Sequence, residues 1–168
     1  NVNVIQDFFN EDTVNQILKT YGHAEFFVAA NVICHIPNII ELIQNIKLLL
    51  SKTGKVIFED PYLGDVINKT SYDQIYDEHV FLFSAHSVQY MFDLFEMELI
   101  DLVPQSTHGG SMRYVIANKG VYEVSPFVTQ ILDEEKLNGI DTVEKLSEFD
   151  KNVRNSRKNL VSLLEKIK

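Results

Sequence analysis

The sequence is poor in cysteine, with Cys34 alone among 168 residues. A single thiol forms no internal disulfide and cannot build a structural zinc site. No apolar stretch reaches the roughly 20 residues that a membrane-spanning helix needs, and the N-terminus does not have the pattern of a signal peptide. These absences predict a cytoplasmic setting and no membrane partner.

Positive charge is scarce as well. Lys and Arg number 15 against 24 Asp and Glu, which gives a formal net charge of -9. The phosphate backbone of a nucleic acid requires clustered cations, so no nucleic-acid partner is expected, although a small nucleotide needs only a few local donors. The hydrophobic share of 45%, with 11 Phe and 7 Tyr, indicates a globular protein.

Apolar spacing in the first 60 residues predicts alternating strands and helices. The strands are predicted at 2–5, 25–30 and 56–58. Helices are predicted at 11–20 and from Pro37 to a C-terminal Gly54. This order is typical of βαβ units and a parallel sheet.

The second half of the sequence has a different pattern. Strands are predicted at 98–103 and 112–117, and the loop between them is too short for a crossover helix, so this pair should be antiparallel. Ser84 is a good N-cap for a helix over 85–95. Two further helices are predicted, from Pro126 to Asn138 and from Asp141 or Thr142 to the C-terminus.

Titratable side chains are densest where the sequence lacks regular apolar spacing, between residues 62 and 83. A neutral histidine is a suitable general base at cellular pH, and a tyrosine hydroxyl can donate to a developing oxyanion. The alternative is a solvated polar turn with aromatic anchors, and the residue types alone leave both open. The set comprises Tyr72, Asp73, Tyr76, Asp77, Glu78 and His79, with Glu59 and Asp60 upstream.

Polar residues also follow the predicted strands. His35 and Asn31 come after strand 25–30, and Asp7 and Phe8 come after strand 2–5. Ligands of doubly wound sheets bind beyond the carboxyl ends of the strands, which makes these residues site candidates. Alternatively, His35 is a helix-entry residue bonded to backbone and Phe8 belongs to the core.

The loop between the last two strands contains His108, Gly109 and Gly110. Two glycines let backbone N–H groups approach a ligand closely, although an ordinary hairpin loop has the same composition. The five histidines show neither HxxxH nor HxH spacing, so no metal site is expected. A hydrolase would need a GxSxG nucleophile elbow, which the sequence lacks.

Four blocks of the sequence resemble, in order, the SAM-dependent C-methyltransferases of deoxysugar biosynthesis, in particular C-3′-methyltransferases of TDP-4-keto-hexoses. The blocks are ANVICHIP at 30–37, FEDPYLGD at 58–65, KTSYDQIYDEH at 69–79 and HGG at 108–110. The resemblance implies an α/β fold with a class I, Rossmann-like methyltransferase sheet. We expect that sheet to be incomplete, mostly parallel with an antiparallel terminal hairpin, and followed by C-terminal helices.

The resemblance also implies roles in catalysis. His79 would be the base that removes a proton next to a ketone, with Glu78 beside it. Tyr76 and His35 would stabilise the enolate oxygen or relay protons.

Further roles implied by the resemblance concern ligands. Asp7 and Phe8 would lie near the adenine of SAM, and Asn31 near its ribose or methionine part. The nucleotide sugar would lie near His108, Gly109, Gly110 and Arg113.

The family pattern also predicts the domain organisation. Residues 1–122 would be the second half of a SAM domain, with a catalytic insertion around 60–84, and 123–168 a helical linker. The Gly-rich SAM turn has no counterpart here, so we expect the chain to begin inside a domain and any zinc to be structural, in a separate N-terminal module. Exposed apolar surface would favour a homo-oligomer. The alternatives are an inactive fragment or interaction module and an O- or N-methyltransferase of small molecules.

Overall fold

A computed structural model describes residues 2–167, which form a four-stranded sheet accompanied by helices. The strands are β1 (Ala24–Ala30), β2 (Leu50–Pro61), β3 (Met97–Gln105) and β4 (Ser111–Asn118). The helices are α1 (Glu11–Tyr21), α2 (Ile39–Leu49), α3 (Leu63–Lys69), α4 (Ala85–Asp93), α5 (Pro126–Asn138) and α6 (Val143–Ile167). Short 3-10 turns occur at Ile33–His35, Tyr72–Gln74 and Thr107–Gly109.

The sheet has the strand order β1-β2-β4-β3. β1 and β2 are parallel, whereas β4 pairs antiparallel with both β2 and β3. The predicted antiparallel hairpin is therefore confirmed, and it follows a parallel pair joined through α2. The architecture is the mixed α/β sheet with C-terminal helices that the sequence predicts.

Strand pairing places the carboxyl ends of β1, β2 and β3 at the same edge of the sheet. The carboxyl ends of the parallel strands β1 and β2 lie at this edge, where Pro61 pairs with Ser111 at the start of β4. Gln105, at the end of β3, also pairs with Ser111. The loops that follow β1, β2 and β3 therefore emerge side by side.

A group of packed aromatic side chains lies within the largely aliphatic buried core on this sheet. The ring of Phe58 stacks on Tyr114 with centroids 4.7 Å apart, and it contacts Phe83 edge-on at 5.9 Å. Phe58 and Tyr114 are fully buried. Ile43 and Ile46 of α2 and Val88 and Phe92 of α4 belong to the same cluster, so the core fixes both helices on the sheet.

Several helix boundaries follow from the capping residues that the sequence offers. Ser84 and Ser87 form a reciprocal capping box at the start of α4, as predicted. Ser125 caps α5, and Gly139 ends it in the left-handed region at φ 57°. Thr142 Oγ1 accepts from the N–H of Lys145 at the start of α6.

Three predicted features need correction. Residues 2–5 form no strand but a largely exposed irregular segment, because no neighbouring strand in residues 2–167 pairs with them. The second helix begins after the Asn38 cap instead of at Pro37. It ends at Leu49, and Gly54 lies inside β2.

Two further differences concern the remaining helices. α3 was not predicted, because its length of 7 residues is too short for an apolar period to show. α6 has no buried residue, so its apolar stripe faces solvent in the described part of the chain, and Lys168 lies outside that part. None of the helices described is both long and apolar enough to cross a membrane.

Candidate active site

The candidate site lies where the loops after β1 and β2 meet. The segment between Tyr62 and Phe83 leaves the sheet and returns, because these two residues form a β-bridge and Leu63 donates its N–H to the Phe83 carbonyl at 2.8 Å. Phe81 N–H donates to the carbonyl of Cys34 at 3.2 Å, which ties this segment to the turn after β1. Residues more than 40 positions apart in sequence thereby become neighbours.

Three predicted catalytic residues cluster at this junction. The hydroxyl of Tyr76 lies 2.9 Å from Nε2 of His79, and the two rings are 4.1 Å apart. The ring of His35 is 5.0 Å from that of His79. The structure therefore brings together His35, Tyr76 and His79, although their catalytic role stays a prediction.

Hydrogen bonds to backbone carbonyls define which nitrogen of each imidazole carries the hydrogen. Nδ1 of His79 donates to the Gln74 carbonyl at 2.8 Å, and Nδ1 of His35 donates to the Glu78 carbonyl at 2.7 Å. A carbonyl only accepts, so the hydrogen is on Nδ1 in each ring. In the neutral rings Nε2 then has a lone pair, which for His79 accepts the Tyr76 hydroxyl proton and is available for base chemistry.

Glu78 contacts His35 through its backbone, and the catalytic role predicted for its carboxylate stays a prediction. Its side chain is exposed and no hydrogen bond to it is found, whereas its carbonyl orients His35. A different carboxylate, that of Asp60 at the end of β2, interacts electrostatically with both histidines. Asp60 is fully buried, and its Oδ2 accepts from the N–H of Cys34 at 3.3 Å.

The chemistry of Cys34 follows from its surroundings. Its side chain is buried beside Asp60, and burial raises the pKa of the thiol to about 12, with the neighbouring carboxylate adding to the effect. The thiol is therefore protonated at neutral pH and is a weak nucleophile.

The same three positions carry metal-ligating atoms. The ligand atoms of Cys34, His35 and His79 all lie within 4.8 Å of one another. Sequence spacing could not reveal this group, because His79 comes from a different loop. Without a metal the Cys34 thiol is protonated, and the expectation that the site holds no metal stays a prediction.

The loop between β3 and β4 forms a second cluster at the same edge. Arg113 donates to Glu59 Oε2 from Nη2 at 2.8 Å and from Nε at 3.2 Å, and Thr107 donates to Glu59 Oε1 at 2.9 Å. Glu59 therefore contacts β4 through Arg113 and the loop between β3 and β4 through Thr107. The predicted substrate residue Arg113 keeps a half-exposed guanidinium despite this pairing.

The glycines of this loop are required by the fold. Gly110 has φ 140°, and a Cβ there would collide with the carboxyl group of Asp65. Gly109 has φ 82°, and its carbonyl accepts from Lys69 Nζ at 2.7 Å. His108 is exposed with a left-handed φ of 52°, so its imidazole is free to meet a ligand at the surface.

The residues predicted to contact SAM are exposed. Asn31 follows β1 with φ 53°, and its N–H donates to the Glu59 carbonyl at 2.7 Å. Phe8 is 85% exposed, and the Asp7 side chain accepts from the Phe8 N–H. No hydrogen bond in residues 2–167 connects Asp7, Phe8 or the Asn31 side chain to the histidine pair, so their roles stay predictions.

One residue outside the predicted site anchors it. Glu135 of α5 is 3% exposed and accepts from the hydroxyl of Tyr62 and from the N–H groups of Ala85 and His86 at 2.8, 2.6 and 3.0 Å. It also accepts from His86 Nδ1. Glu135 therefore joins α5 to Tyr62 and to the start of α4, which flank the segment 63–83. The sequence gives no local signal for it, because it lies on a helix with many exposed acids.

Two protein-family models match most of this chain. Residues 2–102 match the family model described as a methyltransferase domain, which covers more than half of the chain. The chain therefore belongs to the methyltransferase-domain family. Residues 106–168 match the model of the C-methyltransferase C-terminal domain, which confirms the predicted resemblance to C-methyltransferases.

A curated relative points to the same kind of enzyme. The chain is 29% identical over 149 residues to C-methyltransferase NovU from Streptomyces niveus. The alignment covers 88% of this chain and 36% of that protein, so the chain spans well under half of the relative's length.

Solved structures with partial similarity include two methyltransferases. A SAM-dependent methyltransferase from Anabaena variabilis has 16% identity and a TM-score of 0.49, and the match covers 66% of this chain and 56% of that one. Magnesium protoporphyrin IX methyltransferase from Synechocystis has 11% identity and a TM-score of 0.44, with 64% and 57% covered. The fold assignment rests on strand order and pairing.

Proposed function

We propose that this chain carries the acid–base centre of a SAM-dependent C-methyltransferase that acts on a nucleotide-linked keto-deoxysugar. The main support is the hydrogen-bonded pair of Tyr76 and His79 beside His35, at the edge where the parallel strands end. The resemblance of the surrounding sequence blocks to deoxysugar C-methyltransferases points to the substrate class.

His79 is the proposed base. Its Nδ1–H is held by the Gln74 carbonyl, so Nε2 is the atom that accepts a proton from the carbon next to the substrate ketone. The electron pair of that C–H bond moves toward the carbonyl oxygen, which gives an enolate. His79 becomes an imidazolium that still donates to Gln74.

Tyr76 and His35 are the proposed partners of the enolate oxygen. The Tyr76 hydroxyl donates to His79 in the absence of substrate, and it can turn this donor toward an oxyanion once His79 is protonated. His35 presents Nε2 on the same side, because Nδ1 is occupied by the Glu78 carbonyl. In its protonated form that nitrogen would add a second donor.

The residues described fit one wall of a SAM site. Asn31 sits at the carboxyl end of β1, where its amide is exposed, and Phe8 offers an exposed ring to a flat heterocycle. Asp7 supplies an acceptor beside that ring. When bound, SAM would supply an electrophilic methyl group to the nucleophilic carbon of the enolate.

The loop at 106–110 is the proposed contact for the sugar nucleotide. Gly109 exposes backbone, whereas Gly110 is buried and fixes the end of the loop, and the side chains of Arg113 and His108 are partly or fully open to solvent. A diphosphate is recognised by such donors. The ion pair with Glu59 would hold Arg113 in place for this contact.

The decisive test is His79→Ala in the full-length protein, assayed with SAM and TDP-4-keto-hexoses. We expect turnover to fall by about 10²- to 10⁴-fold, the usual contribution of a general base, with SAM affinity unchanged by calorimetry. His23→Ala is the control, because His23 is exposed between α1 and β1. Near-normal turnover of His79→Ala would refute the assignment of the base.

Product analysis separates the remaining alternatives. A methyl group on carbon supports the proposal, whereas a methyl group on oxygen or nitrogen selects a different methyltransferase. An inactive interaction module would show neither turnover nor SAM binding at micromolar concentration. A homo-oligomer and a cytoplasmic location also stay predictions, for sedimentation and cell fractionation to test.

A further inference from the structure

Glu59 lies in the middle of the sheet edge at which the candidate site is found. It pairs with Ala30 of β1 on one side and with Arg113 of β4 on the other. We propose that Glu59 is a positioning residue of the sugar-nucleotide site, which orients the Arg113 guanidinium and the loop at 106–110 for a diphosphate without touching the ligand. Its effect on ligand binding rests on the proposed function, whereas its effect on the Arg113 side chain does not.

Both oxygens of the Glu59 carboxylate accept hydrogen bonds. Oε2 accepts from Nη2 and Nε of Arg113 at 2.8 and 3.2 Å, and Oε1 accepts from the Thr107 hydroxyl at 2.9 Å. The Glu59 side chain is 13% exposed and that of Arg113 is 44% exposed. Charge-assisted hydrogen bonds are strong where little water competes, so this pair has a more defined geometry than an ion pair at an open surface.

The bonds to Glu59 use one edge of the planar guanidinium. Nε and Nη2 form that edge, because both donate to the same oxygen, and no hydrogen bond from Nη1 is found within residues 2–167. Arginine has five N–H donors in a rigid fork, so Glu59 leaves the opposite edge, with Nη1 and one hydrogen of Nη2, for a ligand. Such an edge binds two oxygens of a phosphate group.

The loop between β3 and β4 is held from two directions. Thr107 is bonded to Glu59, and the Gly109 carbonyl accepts from Lys69 Nζ at 2.7 Å. His108 lies between these two attached residues, at an exposed position with φ 52°. Glu59 therefore influences both the direction of the guanidinium and the place of the loop beside it.

The charge of Glu59 and its positioning role have opposite effects on a bound diphosphate. An anion next to a phosphate-binding arginine weakens the attraction, so if charge alone mattered, neutralising Glu59 would tighten binding. If orientation matters more, neutralising Glu59 releases the guanidinium and the loop, whose ordering the ligand must then bring about, and binding weakens. The sign of the change in affinity separates these two effects.

The first test is Glu59→Gln in the full-length protein, with calorimetry of thymidine diphosphate. Glutamine retains the size of the side chain and one acceptor oxygen but removes the charge. We expect the Kd for thymidine diphosphate to rise by roughly tenfold, as for the loss of one charge-assisted hydrogen bond. An unchanged or lower Kd would overturn the proposal.

The binding of SAM is an internal control in the same variant. The Asn31 N–H donates to the backbone carbonyl of Glu59 at 2.7 Å, and glutamine retains that carbonyl. The predicted SAM wall should therefore be unaffected, with a change of less than about twofold in the Kd for SAM. An equal rise in both Kd values would show a general distortion of the edge and would contradict a role on the sugar-nucleotide side.

Glu25→Gln is the matched variant for the change in total charge. Glu25 is an exposed residue near the opposite end of β1, where its carboxylate accepts from the Thr53 hydroxyl. Its neutralisation should leave the Kd for thymidine diphosphate unchanged. If both variants weaken binding equally, the position of Glu59 has no special role and the proposal fails.

Thr107→Val is a second variant, for use if Glu59→Gln does not fold. It removes the hydroxyl that donates to Oε1 and leaves the Arg113 pair in place. We expect the Kd for thymidine diphosphate to rise by about threefold, because only the loop is released. No rise in this variant would contradict the placement of the loop by Glu59.

A measurement without ligand separates this proposal from the proposed function. The Nε–Hε signal of Arg113 in ¹⁵N NMR should exchange with water at least about tenfold faster in Glu59→Gln than in the wild-type protein, because a hydrogen bond is lost. Equal exchange rates would refute the positioning role. If the wild-type protein shows slow exchange but binds no thymidine diphosphate, the proposed substrate class fails and the role of Glu59 at Arg113 stands.

Discussion

The paired strands β2 and β4 and the loop over residues 70–80 differ in almost every physical respect. In the strands, the rings of Phe58 and Tyr114 are fully buried and stacked 4.7 Å apart. In the loop, Ile75 is 56% and Tyr76 46% exposed, and the backbone forms a short 3-10 turn and a hydrogen-bonded turn over residues 76–79. The strands have the packing of a core, and the loop has the candidate chemistry.

The irregular loop has a defined geometry because its two ends are attached to the sheet. The segment that contains the loop is attached to the edge of the sheet by the Tyr62–Phe83 bridge and by the hydrogen bond from the Phe81 N–H to the Cys34 carbonyl. Its own hydrogen bonds, such as that from His79 to Gln74, then orient single side chains. Substitutions in the strands should therefore affect stability, and substitutions in the loop should affect activity.

Phe58→Ala tests whether the buried strands provide the stability of the fold. Loss of a fully buried ring leaves a cavity among Phe83, Phe92 and Tyr114, and we expect the free energy of unfolding to fall by about 3–5 kcal/mol. Urea denaturation measures this loss. Phe26→Ala is the control, since that ring on β1 is 63% exposed and should contribute far less. Equal losses in both variants would contradict the burial that the structure shows.

Glu135→Ala tests the connection between core and loop. The substitution leaves the Tyr62 hydroxyl and the first N–H groups of α4 without their acceptor, so we expect a loss of about 2–4 kcal/mol in the free energy of unfolding. Glu134→Ala removes a neighbouring exposed carboxylate and should change stability little. If the two variants unfold at the same urea concentration, the buried carboxylate does not anchor the segment.

Tyr76→Phe tests whether a substitution in the loop affects activity without affecting stability. The hydroxyl bonds only to His79 at an exposed position, so the free energy of unfolding should change by less than about 0.5 kcal/mol. Methyl transfer by the full-length protein should fall by about 100-fold, because an oxyanion donor is lost. Tyr90→Phe, at an exposed position of α4, is the control for both measurements. A large loss of stability without loss of activity would reverse the roles given to the two regions.

Much of the fold was predictable because local signals and tertiary structure agree. The cap at Ser84, the proline at the start of α5 and the short loop between β3 and β4 each determine a boundary by chemistry within a few residues. The prediction failed for residues 2–5, where a β-rich composition has no paired strand in residues 2–167. It failed also at Gly54, which is in a strand although glycine often ends helices.

The candidate site was predictable in part. Its residue types, His35, Tyr76 and His79, are visible in the sequence, and the resemblance ordered them into roles. The bond between the Glu78 carbonyl and His35 was not predictable from the sequence, and the catalytic role of the Glu78 carboxylate stays a prediction. Arg113 was expected at the substrate, and its pairing with Glu59 emerges only from strand register.

The sequence by itself determined the family, the alternation of strands and helices, and the set of side chains capable of proton chemistry, because these depend on residue type and short-range spacing. The tertiary structure alone places the rings of His35 and His79 5.0 Å apart, buries Asp60 beside Cys34 and brings Glu135 to the start of α4. The physical reason is that these contacts depend on strand pairing and side-chain burial, which join residues far apart in the chain.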